Sequence, residues 1–92
     1  MLYMWQLERG KAEFRFQTDN KGIAAKMKRR NNFKLVGWGV NCDLWIFQTV
    51  FGKPETARKA LKALAGNVVK FDKKDDIFYA PISLSERKNK AA

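Results

Sequence analysis

The residues of this chain that can do chemistry are mostly cations. Nineteen Lys and Arg outnumber nine Asp and Glu, which gives a formal net charge of +10 at pH 7. No acid lies between residues 21 and 34, where the first basic group is found: Lys21, Lys26, Lys28, Arg29, Arg30 and Lys34. Because a helix turns once in about 3.6 residues, Lys26, Arg29 and Arg30 can share one face. Such a face attracts a phosphate backbone, whereas an ordinary solvated helix face usually carries both signs of charge.

A second basic group follows in the next helical segment and consists of Lys53, Arg58, Lys59 and Lys62. If both helices pack on one face of a sheet, the two groups can merge into a single basic surface. Contacts of this kind hold the phosphate backbone and read little sequence. The residues predicted to bind nucleic acid are therefore the first basic group together with Trp38, Arg58, Lys59 and Lys62.

Aromatic residues suggest a different surface. They recur at period two in two strand-like segments: Phe14, Phe16, Trp45, Phe47 and Phe51. RNA-binding modules stack bases on aromatic side chains of a sheet, but residues 44–47 lack the glycines and the basic start of their signature. We favour core packing for this set. Trp38 lies between two glycines and is the best single candidate for an exposed contact.

Catalytic chemistry has few candidates here. The chain has no histidine, one cysteine (Cys42) and no glycine-rich phosphate loop. Catalytic dyads, metal sites and cofactor sites therefore lack their usual residues, and we predict a non-enzymatic protein without metal or cofactor. One alternative is Asp19 at the end of a strand, which could hold Mg²⁺ in a dimeric nuclease. A role for Asp19 as a helix cap is the more common one.

The elements that must position these groups follow from hydrophobic periodicity and helix-end signals. Asn20 and its neighbours can cap the first helix, and Pro54 and Gly66 suit the start and end of the second. The predicted strands cover residues 2–7, 12–17, 33–40, 44–51, 67–71 and 76–82, and the helices cover 21–30 and 54–65. This β-β-α-β-β-α-β-β order predicts an α+β fold with both helices on one face of an antiparallel sheet. A ferredoxin-like (split βαβ) core with strands two and five central is our first expectation, and a less regular α+β sheet is the alternative.

Size and composition limit the organisation of the chain. Ninety-two residues fit one domain, which we place at 1–84, and residues 85–92 are expected to form a disordered polar tail. Neither a signal peptide nor a membrane span is evident, and a lone thiol fits a reducing compartment. We therefore expect a cytoplasmic protein.

The leading functional interpretation is a small, basic, non-catalytic protein that binds DNA or RNA through its helix faces. The alternative is an interaction or inhibitor module, such as a phage or mobile-element accessory factor, that docks on an acidic protein surface. The Mg²⁺-dependent nuclease ranks third. A homodimer formed through an apolar edge strand at residues 1–7 is compatible with each of these.

Overall fold

The computed structural model describes residues 1–8 and 10–82, so the tail expected at 85–92 lies outside the described residues. All eight predicted elements are present in the predicted order, with ends that differ by a few residues. They are β1 (Leu2–Gln6), β2 (Glu13–Thr18), α1 (Lys21–Lys28), β3 (Phe33–Trp38), β4 (Trp45–Val50), α2 (Pro54–Ala65), β5 (Lys70–Asp72) and β6 (Ile77–Ala80).

The six described strands form one antiparallel sheet in the order β3-β4-β2-β1-β6-β5. A ferredoxin-like core would place β5 beside β2. Instead β1 pairs with β2 in a hairpin that turns at Gly10 (φ 82°), and β5 is an edge strand rather than a central one. The expected edge pairing through residues 1–7 is therefore wrong, because both sides of β1 are occupied by β2 and β6.

Both helices cover the same face of the sheet. Side chains on this face alternate along the strands and are buried: Leu2, Met4, Phe14, Phe16, Thr18, Phe47 and Thr49. The strand register places Phe16 directly between Met4 and Phe47. α1 lies over β2 and β3, and α2 lies over β1 and β6. The preference for core packing of Phe14, Phe16 and Phe47 is confirmed, while Trp45 and Phe51 pack partly buried against the core.

The helix ends follow local chemistry. Asn20 caps α1, because its side-chain oxygen accepts a hydrogen bond from the Ile23 N–H at 3.0 Å. α1 ends at Lys28, two residues earlier than predicted, so Arg29 and Arg30 lie in the turn that leads to β3. α2 begins with Pro54 and ends at Ala65, and the C-cap residue Gly66 has a left-handed φ of 70°. No helix in the described part of the chain is long and apolar enough to cross a membrane.

Candidate nucleic-acid interface

The first basic group surrounds α1. Lys21 and Lys28 line a groove of about 220 Å³ between α1 and the outer strands, and its floor is formed by Leu35, Trp45 and Phe47. Lys26 is also exposed on α1. These three lysines are therefore on a solvent-exposed part of the helix, as the sequence predicted and as a phosphate contact requires.

Arg29 and Arg30 are exposed in the turn after α1. The guanidinium carbon of Arg30 is 5.8 Å from the centroid of the Phe33 ring, which is a cation–π distance. Lys26, Arg29 and Arg30 do not share one helical face as we expected, because α1 ends at Lys28, before the two arginines.

Lys34 lies on the other face of the sheet. Phe33 is buried beneath the helices, and successive side chains of a strand point to opposite faces. Lys34 pairs in register with Gln48, whose side chain bonds Arg15 and Glu13 on the helix-free face. The structure therefore separates Lys34 from the rest of the first basic group.

The second basic group borders the opposite end of the sheet. Arg58, Lys59 and Lys62 are exposed on the side of α2 that faces β5, and they line a groove of about 400 Å³ there. Lys53 is the N-cap residue of α2 and is also exposed. Since β3 and β5 are the two edges of the sheet, the grooves beside them are separate. They share no lining residue, but α1 and α2 contact each other, so a single basic surface across the two helices stays a prediction.

The helix layer carries a large excess of unneutralised charge. The segments 20–30 and 53–66 contain nine cations and one acid, Glu55, and all nine cations are exposed. Within residues 1–8 and 10–82 the only ion pair joins the Met1 amino group to Asp19 at 3.5 Å. Among these residues none of the nine cations therefore has an ion-pair partner, so an external anion can neutralise them without breaking an ion pair in this part of the chain.

Trp38 is exposed, as expected, with 64% of its surface accessible. It lies at the end of β3 opposite Trp45. The adjacent turn requires glycine at position 39, because a Cβ there would approach the Cys42 carbonyl oxygen to 2.7 Å. This tight turn is the physical reason why a glycine accompanies the exposed tryptophan.

Sequence reasoning missed the aromatic residues of the helix-free face. Tyr3 and Tyr79 are register partners with ring centroids 6.4 Å apart, and Trp5 lies two residues from Tyr3 on the same face. Arg15 is the register partner of Trp5 and donates to Gln48 at 3.0 Å. The alternation of Tyr3 and Trp5 with buried apolar residues was the available signal, but it was interpreted as an apolar edge strand.

Asp19 is exposed, and its carboxylate contacts the Met1 amino group. The helix cap is the neighbouring Asn20 rather than Asp19. No cluster of three or more His, Cys, Asp or Glu side chains suited to a metal ion is found in the described part of the chain.

No protein-family model matches this chain, and the comparisons with curated proteins and with solved structures return no match either. The chain is a small, basic α+β protein with a six-stranded antiparallel sheet and two helices on one face.

Proposed function

We propose that this protein binds nucleic acid without catalysing a reaction, and that the helix layer contacts the phosphate backbone. The observation that carries the proposal is the set of nine exposed cations with no ion-pair partner in the described residues. A phosphate backbone supplies many closely spaced negative charges, and binding releases its condensed counterions. Lys and Arg contacts to phosphate carry little sequence information, so the binding is nearly sequence-independent.

The connection of β2, α1 and β3 around β4 supports this proposal. β2 and β3 are both antiparallel to β4, which lies between them, and α1 connects β2 to β3. We propose that this split βαβ unit is the part of the fold that corresponds to a ferredoxin-like core. It places α1 and its lysines on the same face as α2. An exposed free thiol at Cys42 is consistent with a cytoplasmic location.

The test is a salt titration of nucleic-acid affinity with two neutralised variants. Lys59→Gln/Lys62→Gln removes two cations from α2, and Lys26→Gln/Arg29→Gln removes two from the α1 region. Removing one cation that contacts phosphate should lower the slope of log K against log salt by about 0.9 on duplex DNA and weaken binding at every salt concentration. Fluorescence anisotropy with a labelled duplex measures both quantities.

Lys34→Gln is the control, because it removes one cation from the opposite face of the sheet, and its effect is compared with half of that of each double variant. We expect its salt slope to remain that of the wild type. Affinity that ignores ionic strength would contradict the proposal, and so would an equal loss of affinity in all three variants.

A second candidate function is docking on an acidic protein surface. The observation that favours it is a run of exposed apolar side chains along the β3 edge and its turn: Leu35, Val36, Trp38 and Val40. Aromatic anchors surrounded by cations are typical of protein interfaces. Trp38→Ala distinguishes the two functions, because it removes this anchor and none of the nine helix-layer cations. Unchanged nucleic-acid affinity together with a loss of binding to an acidic polypeptide would favour docking.

A further inference from the structure

The groove between α2 and β5 combines a cationic rim with an aromatic floor. Its rim carries Arg58, Lys59, Lys62 and Lys70, with Glu55 as the only acid among its lining residues. Its floor is apolar and consists of Val69, Phe71 and Phe78. A volume of about 400 Å³ lies in the usual range of about 300–1,000 Å³ for ligand pockets.

Phe71 is the exposed aromatic of this floor. It lies on the edge strand β5 and is 45% exposed, although Phe78 packs against it with ring centroids 4.7 Å apart. The guanidinium carbon of Arg58 is 5.7 Å from the Phe78 centroid. One aromatic ring is thus covered by a cation and a neighbouring ring, while the other keeps a surface open to the groove.

We infer that this groove holds an unstacked nucleobase of a single-stranded nucleic acid, with the adjoining phosphates on the cationic rim. The inference rests on the proposed function and names its preferred substrate. Stacking on an exposed aromatic ring contributes a similar binding free energy for any base, because every base has a π-face. The cations of the rim hold the phosphates on either side of that base. Four cations against one acid give the charge complementarity that a phosphate chain requires.

A duplex cannot stack a base on the aromatic floor of this groove. Its bases are stacked and paired, so at a groove of this size it presents only phosphates and sugars. Duplex DNA can therefore contact Lys59 and Lys62 but not the Phe71 ring. The groove predicts that the affinity for a single strand depends on Phe71 and that the affinity for a duplex does not.

The experiment compares a labelled oligothymidylate with a duplex carrying the same number of phosphates. Phe71→Ala should weaken oligothymidylate binding about 5- to 150-fold and leave duplex binding unchanged. Phe71→Leu keeps an apolar side chain but removes the ring, and its affinity should fall nearly as much. Phe71→Trp restores a π-face and should bind at least as tightly as the wild type.

Two further comparisons separate the possible failures. Lys59→Gln should weaken the binding of both probes, since Lys59 contacts phosphate in either one.

Equal oligothymidylate affinity for Phe71→Leu and the wild type, with salt-dependent duplex binding intact, overturns the inference and leaves the proposed function standing. An absence of salt-dependent binding to both probes in the wild type overturns the proposed function itself. Tight binding of poly-glutamate that disappears in Phe71→Ala, with no binding of oligothymidylate, would overturn the inference and assign the groove to acidic peptides.

The Phe71 variants must be folded for these comparisons to apply. Phe71 is nearly half exposed on a three-residue strand, so its replacement should leave the core under α1 and α2 intact. Unchanged duplex affinity is the internal check of folding, because duplex binding requires that both basic helices are folded and packed on the sheet.

Discussion

Two buried threonines of the helix-facing side of the sheet differ in their hydrogen bonds. The hydroxyl of Thr18 donates to the Met1 carbonyl at 3.2 Å and accepts from the Asn20 N–H at 3.1 Å. The hydroxyl of Thr49 is buried with no hydrogen-bond partner among the described residues. A buried polar group without a partner costs free energy, so the two positions should respond oppositely to the same substitution.

Thr49→Val should raise the free energy of unfolding by about 1 kcal/mol, because valine has nearly the same shape and removes the unsatisfied hydroxyl. Thr18→Val is the matched control and should lower that free energy by about 1 kcal/mol, because it leaves two backbone groups without a partner. Urea unfolding measures both. A loss of stability in Thr49→Val comparable to that in Thr18→Val would mean that the Thr49 hydroxyl has a partner in solution.

The buried ring of Phe16 gives a second prediction at the residue scale. It is fully buried, and the rings of Phe33 and Phe51 are 5.1 and 6.2 Å from it between centroids. Phe16→Ala should lower the free energy of unfolding by about 3–5 kcal/mol, because burial is reduced and a cavity remains. The control is Val50→Ala, at a 61% exposed position on the other face of β4, which should change it by less than about 1 kcal/mol. Urea unfolding gives both values, and similar losses of stability would contradict the central position of Phe16.

At the scale of elements, α2 depends on a glycine at its C-terminal end. Gly66 has a φ of 70°, a conformation that costs other residues about 1 kcal/mol or more. Gly66→Ala should therefore lower the free energy of unfolding by about 1 kcal/mol. Gly52→Ala should leave it unchanged or raise it slightly, since Gly52 has no positive φ and nothing lies within 4 Å of an added Cβ. Thermal unfolding of the two variants makes the comparison, and equal midpoints would contradict it.

At the scale of the whole molecule, the lysines of α1 and the cations of α2 line different grooves, although the two helices contact each other. Substitutions that share no partner should add in free energy. The variant that combines both pairs of substitutions on the two helices should therefore show the sum of the two decreases in log K, measured by the same anisotropy titration. A combined decrease that departs from the sum by more than a few-fold in K would indicate one shared surface.

How much of this could be predicted from the sequence depends on the range of the interaction. Periodicity and helix-end chemistry predicted all eight elements, and all ten candidate contact residues are exposed. The core role of Phe14, Phe16 and Phe47 was predicted as well. The position of β1 was not, because an apolar strand is compatible with either an edge or a central position, and only its pairing with both β2 and β6 decides between them.

The sequence by itself determined the charge and the local structure: an excess of cations, two helical segments that present nine of the nineteen to solvent, and a glycine that ends the second helix. Only the tertiary structure decided which groups share a surface. It placed Lys34 on the opposite face, put the lysines of α1 and the cations of α2 beside different grooves, and brought Phe71 beside Arg58, Lys59 and Lys62. The physical reason is that the ends of a helix depend on residues a few positions away in the sequence. The order of strands in a sheet depends instead on pairing between segments far apart in the sequence, and on which face of the sheet is buried.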